Sequence, residues 1–259
     1  MAETLHITVL GSGTSMGVPT IGCGCEVCTS TDPRDNRLRP SILIRYHGHT
    51  VLVDTTPDFR QQALRSRIDR IDAILYTHSH ADHIMGLDDI RPFNFRQKGP
   101  IPIYGSMETL GMIRQCFPYV FTMVKPVSSI PRIDVHVING EPFALFGLEV
   151  RPIHLFHGNN PIYGYRLGRA AYLTDHSLIP DESMEHLQDL DVLFLDALRD
   201  RPHPTHSTVK TALDNVERLA PRRAFFTHIC HDLPHALTEQ RLPPHVRLAY
   251  DGLELEVQL

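Results

Sequence analysis

Apolar residues along the chain fall into short runs, and many of these runs end on polar residues able to bind a metal. Leu5-His6-Ile7-Thr8-Val9-Leu10 alternates with a period of two and predicts a strand running into Gly11-Ser12-Gly13-Thr14-Ser15. Residues 41–46 and 50–54 predict a hairpin about His47-Gly48-His49, with those histidines facing solvent. A helix is expected over 57–67, capped by Thr56 with proline in its first position. The run Ile71-Asp72-Ala73-Ile74-Leu75 predicts the next strand, followed by a strand over 101–104 and a helix over 107–116. Later strands are expected at 148–153, 162–165, 171–174, 190–196 and 224–227, with a helix over 208–219 before the last of them.

Two stretches echo each other. Val51-Leu52-Val53-Asp54 leads through a helical segment to Ile71-Asp72-Ala73-Ile74-Leu75, and Tyr172-Leu173-Thr174-Asp175 leads through another to Leu190-Asp191-Val192-Leu193-Phe194-Leu195-Asp196. Two such halves, packed sheet on sheet with helices outside, predict an α/β fold of four layers, an αββα sandwich. The halves share one core, so residues 1–259 are read as one domain. Residues 117–132 are punctuated by proline, with Phe117, Tyr119 and Phe121 looking exposed. Together with the preceding residues from 105 they are read as a flap near a substrate entrance, or else as a small satellite core that also buries Cys116.

Composition narrows the class. The formal charge is −5 and no basic block stands out, so a long nucleic-acid track is not favoured and only local contacts with nucleic acid stay open. No apolar stretch is long enough to span a membrane, and Met1-Ala2-Glu3-Thr4-Leu5-His6 lacks the apolar core of a signal peptide. Five cysteines, three of them clustered, fit a metal site in a reducing compartment, and the expected location is the cytoplasm. Histidine is the anomaly, with 17 copies, well above structural need.

The chemistry begins at Tyr76-Thr77-His78-Ser79-His80-Ala81-Asp82-His83, at the end of a predicted strand. In extended chain, residues two apart point the same way, so His78 and His80 can grip one ion. Asp82 and His83 lie where the chain turns and can face a second ion. Imidazole and carboxylate together suit zinc, manganese or iron. Ala224-Phe225-Phe226-Thr227-His228 repeats the pattern of an apolar strand followed by Thr-His, which makes His228 a further ligand candidate. Separately, Cys23, Cys25 and Cys28 in C-x-C-x-x-C spacing can wrap one tetrahedral zinc, in a cysteine-rich loop near 22–37. Either Cys230 or His231 can supply its fourth ligand. His206 stands before the helix over 208–219, where an anion such as phosphate is favoured and an imidazole can protonate a leaving oxygen. The glycine loop lacks the lysine of a phosphate-binding loop and is read as a place of close backbone approach.

H-x-H-x-D-H resembles the metal motif of the metallo-β-lactamase superfamily. The resemblance implies the same αββα sandwich, with two metals at one edge. It implies His157 as the next ligand, with His154 as the alternative, Asp175 as a bridging carboxylate, and His176 as a supporting neighbour. It also implies Asp54 as a carboxylate supporting the metal histidines. One divalent ion, manganese or zinc, would then be held by His78, His80 and His157, and the other by Asp82, His83 and His228. The motif, the aspartate at 175, His206-Ser207-Thr208 and Thr227-His228 are similar to the phosphodiesterase branch, which includes RNase Z. The cysteine cluster with Thr227-His228-Ile229-Cys230-His231 resembles more closely the phosphoribosyl 1,2-cyclic phosphate phosphodiesterase family. That likeness implies a structural zinc on Cys23, Cys25, Cys28 and His231, with His206 as general acid and Asp82 among the catalytic residues. The expected reaction is cleavage of a small cyclic or nucleotide-like phosphodiester by a hydroxide bridging the metals. A thioester hydrolase, or an oxidative or cofactor-biosynthesis member like the pyrroloquinoline quinone pathway protein B, is the alternative. A tRNA 3′-processing endonuclease is less favoured, since no glycine-rich tRNA-gripping arm is seen. A homodimer is compatible with the fold.

Overall fold

The computed structural model describes residues 4–122 and 129–259. Its strands and helices, in chain order, are β1 (Thr4–Gly11), β2 (Ser41–Tyr46), β3 (His49–Val53), α1 (Phe59–Arg65), β4 (Ala73–Leu75), α2 (Ala81–Ile84), α3 (Arg91–Gln97), β5 (Ile101–Gly105), α4 (Met107–Cys116) and β6 (Ile133–Val137). There follow β7 (Phe143–Leu145), β8 (Leu148–His157), β9 (Asn160–Leu167), β10 (Ala170–Leu173), α5 (Asp181–Met184), β11 (Val192–Asp196), α6 (Val209–Leu219), β12 (Arg223–Thr227), α7 (His235–Glu239), β13 (Val246–Leu248) and β14 (Glu254–Gln258).

Two seven-stranded sheets form, in the orders β14-β1-β2-β3-β4-β5-β6 and β13-β12-β11-β10-β9-β8-β7. The alternation of side chains decides the layers. Ile42, Ile44, Val51 and Val53 point between the sheets, where they meet Val150, Tyr165, Tyr172 and Phe194 of the second sheet. Leu43 and Leu52, on the opposite face, pack with Phe59, Ile84, Ile90, Phe93, Leu110 and Ile113 from the helical layer. The second sheet repeats this outward: Leu173, Leu193 and Leu195 pack against Val209, Ala212, Val216 and Leu219 of α6. Both faces of the central strands are buried, so these strands read as apolar runs rather than as alternating ones. The result is the αββα sandwich of the metallo-β-lactamase fold. The echo between the halves is visible in the pairing: β3 runs parallel to β4, and β10 runs parallel to β11.

Several local expectations shift. The helix after β3 begins two residues later than the proline pattern predicts, with Asp58 as its cap residue. Thr56 instead accepts a hydrogen bond from the Asp58 amide at 3.1 Å and donates to Gln62. Phe117 is buried and packs with Val120 and Phe121 against the first helical layer, so residues 117–121 extend the core. Tyr119 stays exposed and donates to Asp88 at 2.7 Å. Cys116 is exposed rather than buried, at the last position of α4. Residues 123–128 of the expected flap lie outside the described residues. Among the described residues, no helix is long and apolar enough to cross a membrane.

Candidate metal centre

Strands β3, β4, β10, β11 and β12 lie parallel to their neighbours in these pairs, so their C-terminal ends collect along one edge. The chemistry-bearing residues follow those ends directly. Asp54 and His228 occupy the first position after a strand and Asp175 the second, with φ of 64°, 57° and 59°. That left-handed backbone is costly for residues other than glycine, and three such positions at one edge mark a place where side-chain direction matters more than local comfort.

Two groups of ligand atoms meet there. His78, His80 and His157 bring one imidazole nitrogen each within 4.8 Å of one another, and Asp82, His83, Asp175 and His228 do the same with four atoms. Asp175 joins the groups: its Oδ2 lies 3.1 Å from His83 Nε2, 3.1 Å from His228 Nε2 and 3.9 Å from His78 Nε2. Asp82 Oδ2 lies 3.2 Å from His83 Nε2 and 3.8 Å from His228 Nε2. His78 Nε2, Asp82 Oδ2 and His228 Nε2 are buried and make no hydrogen bond. Buried polar atoms are ordinarily paired, so an orphan in the first group and two in the second fit a cation in each.

Supporting contacts fix the rings. Asp54 Oδ2 lies 2.7 Å from His83 Nδ1, and Thr77 donates to Asp54 through both its amide and its hydroxyl, each at 2.8 Å. His157 Nδ1 donates to the Thr205 carbonyl at 2.8 Å, leaving Nε2 toward the cluster. His176 is buried beside the group and donates from Nδ1 to the Leu173 carbonyl at 3.0 Å. His154, the alternative to His157, points to the other face of β8, where it is exposed and its ring lies 4.9 Å from that of Tyr163.

The electrostatics match. Burial opposes charge on His83 and His228, yet the carboxylates of Asp175 and Asp82 overcome it, raising His83 well above the usual imidazole range and His228 to about 10. Asp82 and Asp175 are held well below the usual carboxylate range by His83 and His228, against the effect of burial. The cluster is an anionic cup that attracts positive charge, whether protons or metal ions.

His206 borders this cup. Its ring centroid is 4.6 Å from that of His157 and 4.5 Å from that of His228. Asp196 Oδ2 contacts its Nδ1 at 2.7 Å. Asp196 was legible only as a strand-ending aspartate in the echo of the two halves; its place behind His206 needed the fold. Burial, and next the charge of His228, push His206 down to about 3, while burial pushes the Asp196 carboxyl up to about 7. A cleft over His78, His80 and His157 is walled by Glu108, Thr109, Asn160 and Ile162. Larger hollows of about 410 and 350 Å³ around Arg151 and His186 contain none of the clustered ligands, so the chemistry rather than the volume locates the site.

The second metal-type group is separate. His231 Nδ1 lies 3.3 Å from Cys23 Sγ and 3.4 Å from the Sγ atoms of both Cys25 and Cys28. Tetrahedral zinc with sulfur and nitrogen ligands has ligand–ligand edges of roughly 3.5 Å. Cys230 stands apart from this group, buried, with its sulfur accepting from the Asp232 amide at 3.4 Å. Of the two candidates for the fourth position, His231 is therefore the one brought to the thiols.

Comparisons with known proteins fall on this geometry. Residues 49–229 match the family model described as beta-lactamase superfamily domain. A solved structure described as a new diphosphatase from the PhnP family is 52% identical and covers 100% of this chain and 99% of its own, with a TM-score of 0.94. The short form of human tRNase Z is 22% identical over 96% of this chain and 98% of its own, with a TM-score of 0.72, a likeness of fold alone. An octanoyltransferase of Porphyromonas gingivalis is 40% identical over 96% of this chain, and the chain spans 51% of that longer protein. The chain belongs to the β-lactamase superfamily and carries its metallohydrolase fold.

Proposed function

We propose that this hydrolase cleaves a phosphodiester or diphosphate linkage in a small, nucleotide-like substrate. The observation that carries the reading is His206, locked by Asp196 at 2.7 Å and placed against both halves of the ligand cluster. The PhnP-family diphosphatase, 52% identical over the whole chain, supports the same class of bond.

His78, His80 and His157 would hold one divalent ion and Asp82, His83 and His228 the other, with Asp175 between them. When bound, manganese or zinc ions there would supply charge neutralisation at the phosphoryl oxygens and a more acidic water. The protein's own share is positional. Asp54, Thr77 and Thr205 hold the ligand imidazoles in fixed tautomers. His206, oriented by Asp196, stands where it can deliver a proton to the departing oxygen. Glu108 and Asn160, which line the cleft, would face the remainder of the substrate. Cys23, Cys25, Cys28 and His231 would hold a structural zinc.

A second reading, hydrolysis of an acyl thioester, is favoured by one observation: the Porphyromonas gingivalis relative carries an acyl-transfer name. A thioester releases a thiolate that leaves without protonation, so it has less need of His206.

The deciding experiment follows hydrolysis of bis(p-nitrophenyl) phosphate, a 2′,3′-cyclic nucleotide and an octanoyl thioester by manganese- or zinc-loaded protein and by His206→Ala. Turnover of the diesters that collapses in the variant supports the proposal. Thioester turnover that survives in the variant, with none on the diesters, selects the second reading.

A further inference from the structure

The free edges of the two sheets differ sharply. β7 and β13 are three residues long, too short to template another chain. β14 carries Glu254 and Glu256, and pairing it with a copy of itself about its centre would set Glu256 against the same carboxylate. β6, Ile133-Asp134-Val135-His136-Val137, has none of the lysine, proline or glycine that usually blunts an edge. Among the described residues its strand partner is β5 alone, and Val135 and Val137 are 38% and 50% exposed.

Its hydrogen-bonding parity is fixed. The Ile101 amide donates to the Arg132 carbonyl and the Ile138 amide to the Gly105 carbonyl, so the even-numbered peptide groups face β5. The N–H and C=O of Ile133, Val135 and Val137 therefore point to the open edge. The side-chain faces are equally ordered. Ile133, Val135 and Val137 share the helix side with Ile101 and Ile103, while His136 lies on the other side, its ring stacked at 4.7 Å on Tyr104. Asp134 shares that side, 2.9 Å from His136.

We propose that β6 pairs antiparallel with β6 of a second copy of this chain, in register about Val135. That register sets Ile133 against the partner's Val137, Val135 against the partner's Val135, and Asp134 against the partner's His136. Each outward-facing residue then meets an outward-facing residue, giving three pairs that exchange both N–H···O bonds. Apolar side chains meet apolar ones on one face, and opposite charges meet on the other. The two first sheets become one continuous sheet across a two-fold axis. The charge pattern selects the register, because a shift by two residues would place His136 opposite the partner's His136 or Asp134 opposite the partner's Asp134.

The test uses full-length, metal-loaded protein. Light scattering is expected to give twice the chain mass, and Val135→Lys to return the chain mass with an unchanged melting temperature. In a Cys116→Ser background, which removes the exposed natural thiol, Val135→Cys is expected to cross-link to its own copy under mild oxidation. Opposed Cα atoms in such a pair lie about 5.5 Å apart, within disulfide reach. Asp134→Lys is expected to weaken the dimer, and His136→Glu added to it to restore the dimer. A wild type that stays monomeric at high concentration overturns the proposal. So does a dimer that survives Val135→Lys without cross-linking through position 135, since its interface then lies elsewhere.

Discussion

Asp196 Oδ2 sits 2.7 Å from His206 Nδ1 and 3.9 Å from His228 Nδ1, so one buried carboxylate stands behind both the proposed acid and a proposed metal ligand. The closer contact ties down Nδ1 of His206 and leaves Nε2 for the cleft. Burial pushes the carboxyl up and the imidazole down, and a single proton shared across the contact satisfies both tendencies. Asp196→Asn keeps the shape but replaces the carboxylate with a neutral amide whose N–H can face Nδ1 and favour the other tautomer. The expected outcome is a fall in kcat of roughly 10–100-fold, with KM and bound metal little changed. His206→Ala should cost roughly 100–10,000-fold on substrates with a poor leaving group, and less on aryl esters whose leaving group needs no proton. An equal loss on both substrate types would remove His206 from the role of acid.

The cysteine loop is coupled to the cluster through a short segment. His231, within 3.3–3.4 Å of three thiols, is three residues from His228. The Ile229 amide donates to the Ser12 carbonyl, which ties that segment to the glycine loop. Cys25 is lowered to about 6, chiefly by the Cys28 amide, and is a thiolate at neutral pH, ready to bind zinc. Cys28→Ser is expected to lose one metal equivalent by elemental analysis and to lower Tm. The effect on Tm is about 2–4 °C per kcal/mol lost for a chain of this size class. A full complement of metal in the variant would contradict the assignment.

Arg37 is fully buried, and its guanidinium donates to Ser12 Oγ at 2.9 Å, to the Ala249 carbonyl at 2.6 Å and to His235 Nδ1 at 3.0 Å. His235 must accept there and so must be neutral; burial, with Arg37 next, lowers it to about 4. The folded pKa lies below the unfolded one, so the unfolded chain binds more protons between them. Stability is therefore complete above about pH 6.5 and is lost as pH falls toward 4, by at most about 2–3 kcal/mol. Urea melts of wild type and His235→Gln across this window test it. The slope with pH should flatten in the variant, and an unchanged slope would place the titration elsewhere.

Much of this was readable in the chain because the fold puts ligands next to strand ends. H-x-H-x-D-H follows β4, Asp175 follows β10 and His228 follows β12, so each ligand is announced by the apolar run before it. The layers were legible because Val51-Leu52-Val53 and Leu193-Phe194-Leu195 are apolar on both faces, as strands covered twice must be. What could not be read was lateral. Asp196 reaches His206 over a sequence separation of ten, and Arg37 reaches His235 over one of 198. The residues alone left Cys230 and His231 both open, the family likeness implied His231, and the fold brings His231 to the thiols. The starting residue of α1 was misread because Thr56 uses its hydroxyl on Asp58 and Gln62 instead of capping the helix two residues earlier.

Metal binding should be counted in protons as well as ions. In the absence of a cation, the carboxylates of Asp82 and Asp175 draw protons onto the neighbouring imidazoles, with His83 raised well above its usual range and His228 raised to about 10. Both are then charged at pH 7, whereas a histidine that binds a metal must be neutral at the binding nitrogen. His78 and His157 go the other way, lowered first by burial, and are already neutral. Loading the stripped protein at pH 7 should therefore release about two protons from the Asp82–His83–Asp175–His228 group and almost none from His78 and His157. Calorimetric titration with manganese in buffers of different ionisation enthalpy separates proton release from binding heat. Two binding events with unequal proton counts are expected. His228→Gln should remove one proton from the event that releases them and leave the other unchanged. Equal release in both events would mean that the two groups do not divide as the distances between their ligand atoms indicate.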